Sequence, residues 1–171
     1  MTTRINSKNK GNKGERTAAR LLERWVDFPF TRVPQSGGLR WQSGRNITGD
    51  IIPEDMYQLE DFPFSIEVKT RKSIDFEDLL LPHLSEIMKF WEQSVADAKR
   101  VDKIPMVLMR RNGMPKETFY VIIPYPIFTV ISKLLNLHNY IIYGDKIVIS
   151  YSNEFFKTDY DLVLDELWEL Q

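Results

Sequence analysis

Cysteine is absent from the 171-residue chain, which excludes disulfides, cysteine-ligated zinc and thiol nucleophiles and is compatible with a reducing compartment. Histidine is nearly absent too. His83 and His138 lie far apart with no ligand-spaced neighbours, so both read as structural or exposed rather than as metal ligands. No hydrophobic run approaches the length that crosses a bilayer, and the N-terminus is polar and basic without a signal-peptide core. The expectation is a soluble, cytoplasmic protein with no membrane partner.

Net charge is also scarce, at −1, yet it is unevenly placed. Residues 1–49 carry ten Lys or Arg against three acids, Glu15, Glu23 and Asp27, whereas the rest of the chain carries more acids than bases. A basic front segment can supply phosphate contacts while an acidic remainder limits sticking elsewhere. By itself the partition fits a basic tail on an ordinary domain equally well. The hydrophobic fraction of 43% and charged fraction of 27% suit a globular protein of one domain, large enough to bury a core.

Residues 1–12 read as a basic tail, mobile unless a partner orders it. Ala18, Leu21, Leu22 and Trp25 recur at helical spacing and predict a helix over Lys13–Val26. A short strand follows at Phe30–Val33, then a Gly-, Ser- and Arg-rich loop over Pro34–Thr48, long enough to suggest function. Gly49–Pro53 and Phe64–Thr70 read as strands joined by an acidic connection. A helix is predicted over residues 84–101, with Leu84, Ile87, Met88, Trp91, Val95 and Ala98 on its inner stripe. Strands Pro105–Arg110 and Thr118–Ile123 flank an Asn112-Gly113 turn that favours a tight hairpin. Beyond them come a helix at Ile127–Leu135, a hairpin across Gly144-Asp145 and an acidic helix at Asp161–Leu170. The pattern predicts an α/β architecture with a central mixed sheet flanked by helices, residues 124–171 forming a C-terminal extension of open role.

The sharpest chemical signal is Gly49-Asp50 followed by Glu67-Val68-Lys69. Strand alternation puts Glu67 and Lys69 on one face. Pairing of the two strands would bring Asp50 beside Glu67, and two adjoining carboxylates call for a cation; an all-oxygen donor set suits magnesium or manganese. Lys69 would then place positive charge where a phosphate is attacked. A lone Glu-x-Lys is common on exposed strand edges, so this signal needs support from elsewhere.

Support comes from the ordered set Lys10-Gly11, Glu15-Arg16, Arg32, Ser36-Gly37, Gly49-Asp50 and Ile66-Glu67-Val68-Lys69. Over roughly residues 10–123 it resembles the Holliday junction resolvases of archaea and phages, within the PD-(D/E)XK nuclease superfamily. The resemblance implies a restriction-endonuclease-like fold and a magnesium-dependent endonuclease of branched DNA. It would act in recombination and repair as a homodimer that makes paired nicks. For a phage-encoded member the cytoplasm would be the host's. The resemblance also implies site roles: Glu15, Asp50 and Glu67 as metal ligands, Lys69 as the catalytic lysine and Ser36 near the scissile phosphate. Ser43 competes with Ser36 for that last role. Lys10, Lys13, Arg16, Arg32, Arg40 and Arg45 are the candidate DNA contacts, Arg16 and Arg32 alternatively serving as partners of the acids. Gln93 is a minor candidate, Arg110-Arg111 either contact phosphate or only solubilise a hairpin end, and Trp41 reads better as a packed residue than as a wedge. The superfamily motif has proline before the aspartate where this chain has Gly49. Two other readings stand beside this one: a restriction-like, repair or packaging nuclease of the same superfamily, and a non-catalytic DNA-binding module.

Overall fold

The computed structural model describes residues 7–33, 47–81 and 83–170. Helix α1 (Ser7–Val26) leads into strands β1 (Phe30–Arg32) and β2 (Ile51–Pro53), a short helix α2 (Met56–Asp61) and strand β3 (Phe64–Arg71). A 3-10 turn at Glu77–Leu80 precedes helix α3 (Glu86–Lys99), after which come β4 (Ile104–Arg111), β5 (Tyr120–Pro124) and α4 (Tyr125–Ile131). The hairpin β6 (Tyr140–Tyr143) and β7 (Ile147–Tyr151), then α5 (Ser152–Phe155) and α6 (Tyr160–Trp168), complete the order.

The strands form one seven-stranded mixed sheet, ordered β1-β2-β3-β4-β5-β7-β6. β3 and β4 are parallel, joined across α3, and the other pairs are antiparallel. Alternation sorts the sheet's residues into two cores. Ile66, Val68, Met106, Leu108, Val121 and Val148 pack with Ala18 and Leu22 of α1 and with Phe128, Val163 and Leu167 of α4 and α6. Val107, Met109, Ile122 and Ile149 pack on the other face with Ile87, Met88 and Trp91 of α3. β4 is therefore buried on both sides, which accounts for its unbroken apolar run Met106–Met109. The sheet with helices on both faces is the architecture the sequence pattern predicts.

Several local expectations are corrected. The helix predicted from Lys13 begins at Ser7, so half of the supposed basic tail is helical. The acidic connection between β2 and β3 contains α2, whose first turn is capped by the Asp55 side chain accepting from the Tyr57 and Gln58 N–H groups. Ser85 caps α3 by accepting from Met88 N–H, which stops the helix short of Leu84. Leu84 is accordingly 68% exposed, and Val95 is 39% exposed on the flank of a stripe filled instead by Phe90 and Ser94. The Asn112-Gly113 turn is not a tight hairpin: β4 pairs with β5 only from Met109↔Tyr120 inward, and Asn112 N–H bonds back to Arg71 O of β3. Across Gly144-Asp145 the expected hairpin does form, both residues taking positive φ. Among the described residues, no helix is long and apolar enough to cross a membrane.

α1 is seated on β3 by the absence of a side chain. A Cβ at Gly14 would collide with the Thr70 hydroxyl oxygen, and threonine is stiff at χ1. Gly14→Ala should therefore lower stability by about 1–3 kcal/mol through overpacking, even though alanine is the better helix former. In a Thr70→Ala background the same change should become neutral or stabilising. Denaturant unfolding of the four proteins in this cycle measures the coupling, and additive effects would refute the contact.

Candidate active site

β2 and β3 pair antiparallel through Ile51↔Ile66, which brings Asp50 close enough to Glu67 for the two carboxylates to act on each other. The backbone approach is close. Asp50 N–H donates to Ile66 O at 2.8 Å, and a Cβ on residue 49 would lie 2.6 Å from that same oxygen. Gly49 also has φ +89°, which proline cannot adopt. The departure from the superfamily's proline thus has a local cause. The Asp50 carboxylate turns onto β3, accepting from Val68 N–H at 2.7 Å.

Glu67 is buried, 6% exposed, on the α3 face. Its Oε1 accepts from Lys69 Nζ at 2.5 Å. Lys69 also reaches Gln93 Oε1 of α3 at 3.4 Å and lies 5.2 Å from the Phe90 ring centroid. The strand alternation that predicts a shared face for Glu67 and Lys69 thus ends in a direct ion pair, and Gln93 stands beside the lysine. Glu15 projects from α1, 3% exposed, and its Oε2 accepts from Arg32 Nε at 2.5 Å. Arg32 Nη2 also donates to Asn12 Oδ1 at 2.7 Å. Arg32 is therefore a structural partner of the first acid.

Electrostatics ties the three acids together. Burial first, then the facing Glu67, pushes the Asp50 carboxyl up to about 7; the Val68 N–H opposes this, Glu15 adds to it, and Lys69 opposes it weakly. Among the described residues, however, no three His, Asp or Glu side chains gather into a group that could hold a metal. Of the expected ligands Glu15, Asp50 and Glu67, the Glu15 carboxylate is paired with Arg32, and Glu67 acts on Asp50 more strongly than Glu15 does. The pair Asp50 and Glu67 fits magnesium, which is commonly bound by one or two carboxylates and completes its shell with waters and phosphate oxygens. Repulsion between the two acids, visible in the raised Asp50, is what a divalent cation would relieve.

Of the candidate DNA contacts, Lys13 and Arg16 lie on the exposed side of α1, and Lys10 is half-buried at its N-terminal end. Ser36, Arg40, Trp41, Ser43 and Arg45 lie outside the described residues. Sequence reasoning missed Asn12, which steadies Arg32, although its place one turn before Glu15 was available as a signal. It also missed Arg71 and Lys72, which simply continue the β3 run.

A mixed sheet flanked by helices, with an Asp facing the Glu of a Glu-x-Lys strand, defines the restriction-endonuclease-like, PD-(D/E)XK class of nucleases. Within that class the chain belongs to the family described as "Phage putative PDDEXK endonuclease", whose model matches residues 6–170. No curated protein matches the chain, and no solved structure does.

Asp50 makes stability depend on pH in a definite direction. Its folded-state value of about 7 exceeds the ordinary 3.8, so between those values the unfolded chain has released a proton that the folded chain keeps. Metal-free stability should fall as pH rises from about 4 to about 7 and then level off. Asp50→Asn can keep the bond from Val68 N–H but cannot ionise. In EDTA at pH 8 it should therefore be more stable than the unmodified protein, by on the order of 2–4 kcal/mol, with little difference near pH 4. Thermal unfolding at the two pH values decides, and equal stabilities at pH 8 would remove the strain assigned to the pair.

Proposed function

We propose that the protein is a magnesium-dependent DNA endonuclease that nicks branched DNA, four-way junctions above all, with Asp50, Glu67 and Lys69 as its reacting centre. The observation that carries this reading is Asp50 bound to β3 through Val68 N–H and interacting with Glu67, with the Lys69 amine paired to that glutamate. Asp50 and Glu67 would hold a divalent cation, which would supply Lewis-acid chemistry at the phosphate. Lys69 sets a cation beside the developing phosphoryl charge, and Gln93 gives its amine a second partner that keeps it on the α3 face. Glu15 is a further negative charge behind the pair, its own position fixed by Arg32.

The junction preference and the homodimer rest on the resemblance of the ordered motif set to the junction resolvases. Paired nicks on two strands need two centres, and a two-fold dimer provides them. The matched family's description names an endonuclease and no junction, so the second reading is a restriction-like, repair or packaging nuclease of the same superfamily with the same centre, which would also cut linear duplex.

Cleavage of a labelled four-way junction and of its separate duplex arms, with and without magnesium or manganese, tests both readings. Metal-dependent nicking of the junction alone is expected. Equal cutting of the arms would favour the second reading. Glu67→Gln and Lys69→Met should each lower the nicking rate at least about 100-fold while junction binding persists. Unimpaired nicking by either variant would overturn the assigned centre.

A further inference from the structure

β3 and β4, the parallel pair, stay in register to their C-terminal ends, with Thr70 beside Arg110 and Arg71 beside Arg111. The same end of β3 receives the first turns of α1. Gly14 lies against Thr70, and Lys10, one helical turn earlier, comes near Arg71 and Lys72. Burial and then those two cations lower the proton affinity of Lys10. Five cations from three elements thus stand along the edge formed by the C-terminal ends of β3 and β4 and the start of α1, and all but Lys10 come from the part of the chain where acids otherwise outnumber bases. Arg71 is held in place there: its Nε bonds Glu86 Oε1 at 2.9 Å, and its guanidinium lies 4.4 Å from the Phe90 ring centroid. Arg110 is braced in a similar way, reaching the Met114 and Pro115 carbonyls and packing over Phe119.

Gathering like charges destabilises a fold unless an anion answers them. The row begins at the reacting lysine, since Arg71 follows Lys69 on one face at about 7 Å, two strand residues. We propose that Lys10, Arg71, Lys72, Arg110 and Arg111 form a phosphate-backbone track that grips the DNA strand as it leaves the reacting centre. This rests on the reading of the centre as a DNA nuclease. The track carries affinity and register rather than base preference, because backbone contacts report no sequence. It also gives Arg110-Arg111 a role beyond solubilising a turn.

The test is binding of a fluorescent duplex and a four-way junction to the full chain in EDTA, where cutting is suppressed, over a range of salt concentrations. Lys72→Gln/Arg111→Gln should lower the slope of log affinity against log salt by roughly 2, at about 0.9 per lost phosphate contact, and weaken binding at least tenfold at moderate salt. Lys99→Gln/Lys157→Gln, with the same charge change far from this edge, should keep the unmodified slope. If the Arg111 change impairs folding, as judged by thermal melting, Lys10→Gln/Lys72→Gln carries the same expectation. An unchanged slope, or equal losses in the control, would overturn the track. Binding with the expected slopes but no magnesium-dependent cutting would instead leave the track standing and defeat the nuclease reading.

Discussion

Asp50 has almost no freedom of position. Its N–H is spent on Ile66 O and its carboxylate is taken by Val68 N–H, so one residue straps the start of β2 to two successive turns of the β3 pleat. Because a strand's side chains alternate, that strap leaves the Glu67 carboxylate nowhere to go but the same face. Two acids are forced together by backbone pairing, in a place where burial makes ionising both of them unfavourable. A sequence selected for stability alone would have no reason to keep this arrangement. A site that must hold a divalent cation has one.

The third acid answers to a different constraint. Glu15 comes from α1, and its distance from the pair depends on how closely that helix lies on β3. The bare face of Gly14 permits that approach, while Arg32 at the end of β1 reaches across to Asn12 and Glu15. Helix and sheet are thus pinned at the site by one ion pair of restricted geometry. Glu15 also pushes the Asp50 carboxyl upward, though less than burial and Glu67 do.

The parts of this arrangement that were legible in the sequence are those governed by short periods. The alternation Ser65–Lys69 places Glu67 and Lys69 correctly, and the apolar spacing of Ala18, Leu22 and Trp25 identifies α1. The strand order along the chain follows from runs such as Met106–Met109. What was illegible depends on distant partners or on single capping groups. Nothing near Arg32 announces that its guanidinium pairs with Glu15 and Asn12, because that depends on the α1–β1 packing. The stripe of α3 misleads at Leu84 and Val95, since apolar character alone does not mark where Ser85 begins the helix. α2 and α5 are too short to show a period. Likewise, three acids in sequence order do not reveal which one a neighbouring arginine will pair with.

Residues after Pro124, which had no legible role, turn out to bear on the site through α1. Trp25, near that helix's C-terminal end, donates its Nε1–H to Thr158 O at 2.8 Å and packs edge-on against Phe155, Phe156 and Tyr160. Tyr160 in turn meets Phe62, just ahead of β3. An indole in such a nest fixes both the depth and the rotation of its helix, since neither the ring edge nor the N–H can shift without losing a partner. α1 is therefore held at one end by the C-terminal third and along its N-terminal half by the Gly14–Thr70 contact, with Glu15 between the two holds. Removing either hold would let the helix pivot about the other and carry Glu15 with it. The C-terminal third is thus part of the frame that sets the distance between the acids, and it shares one core with α1 and β3.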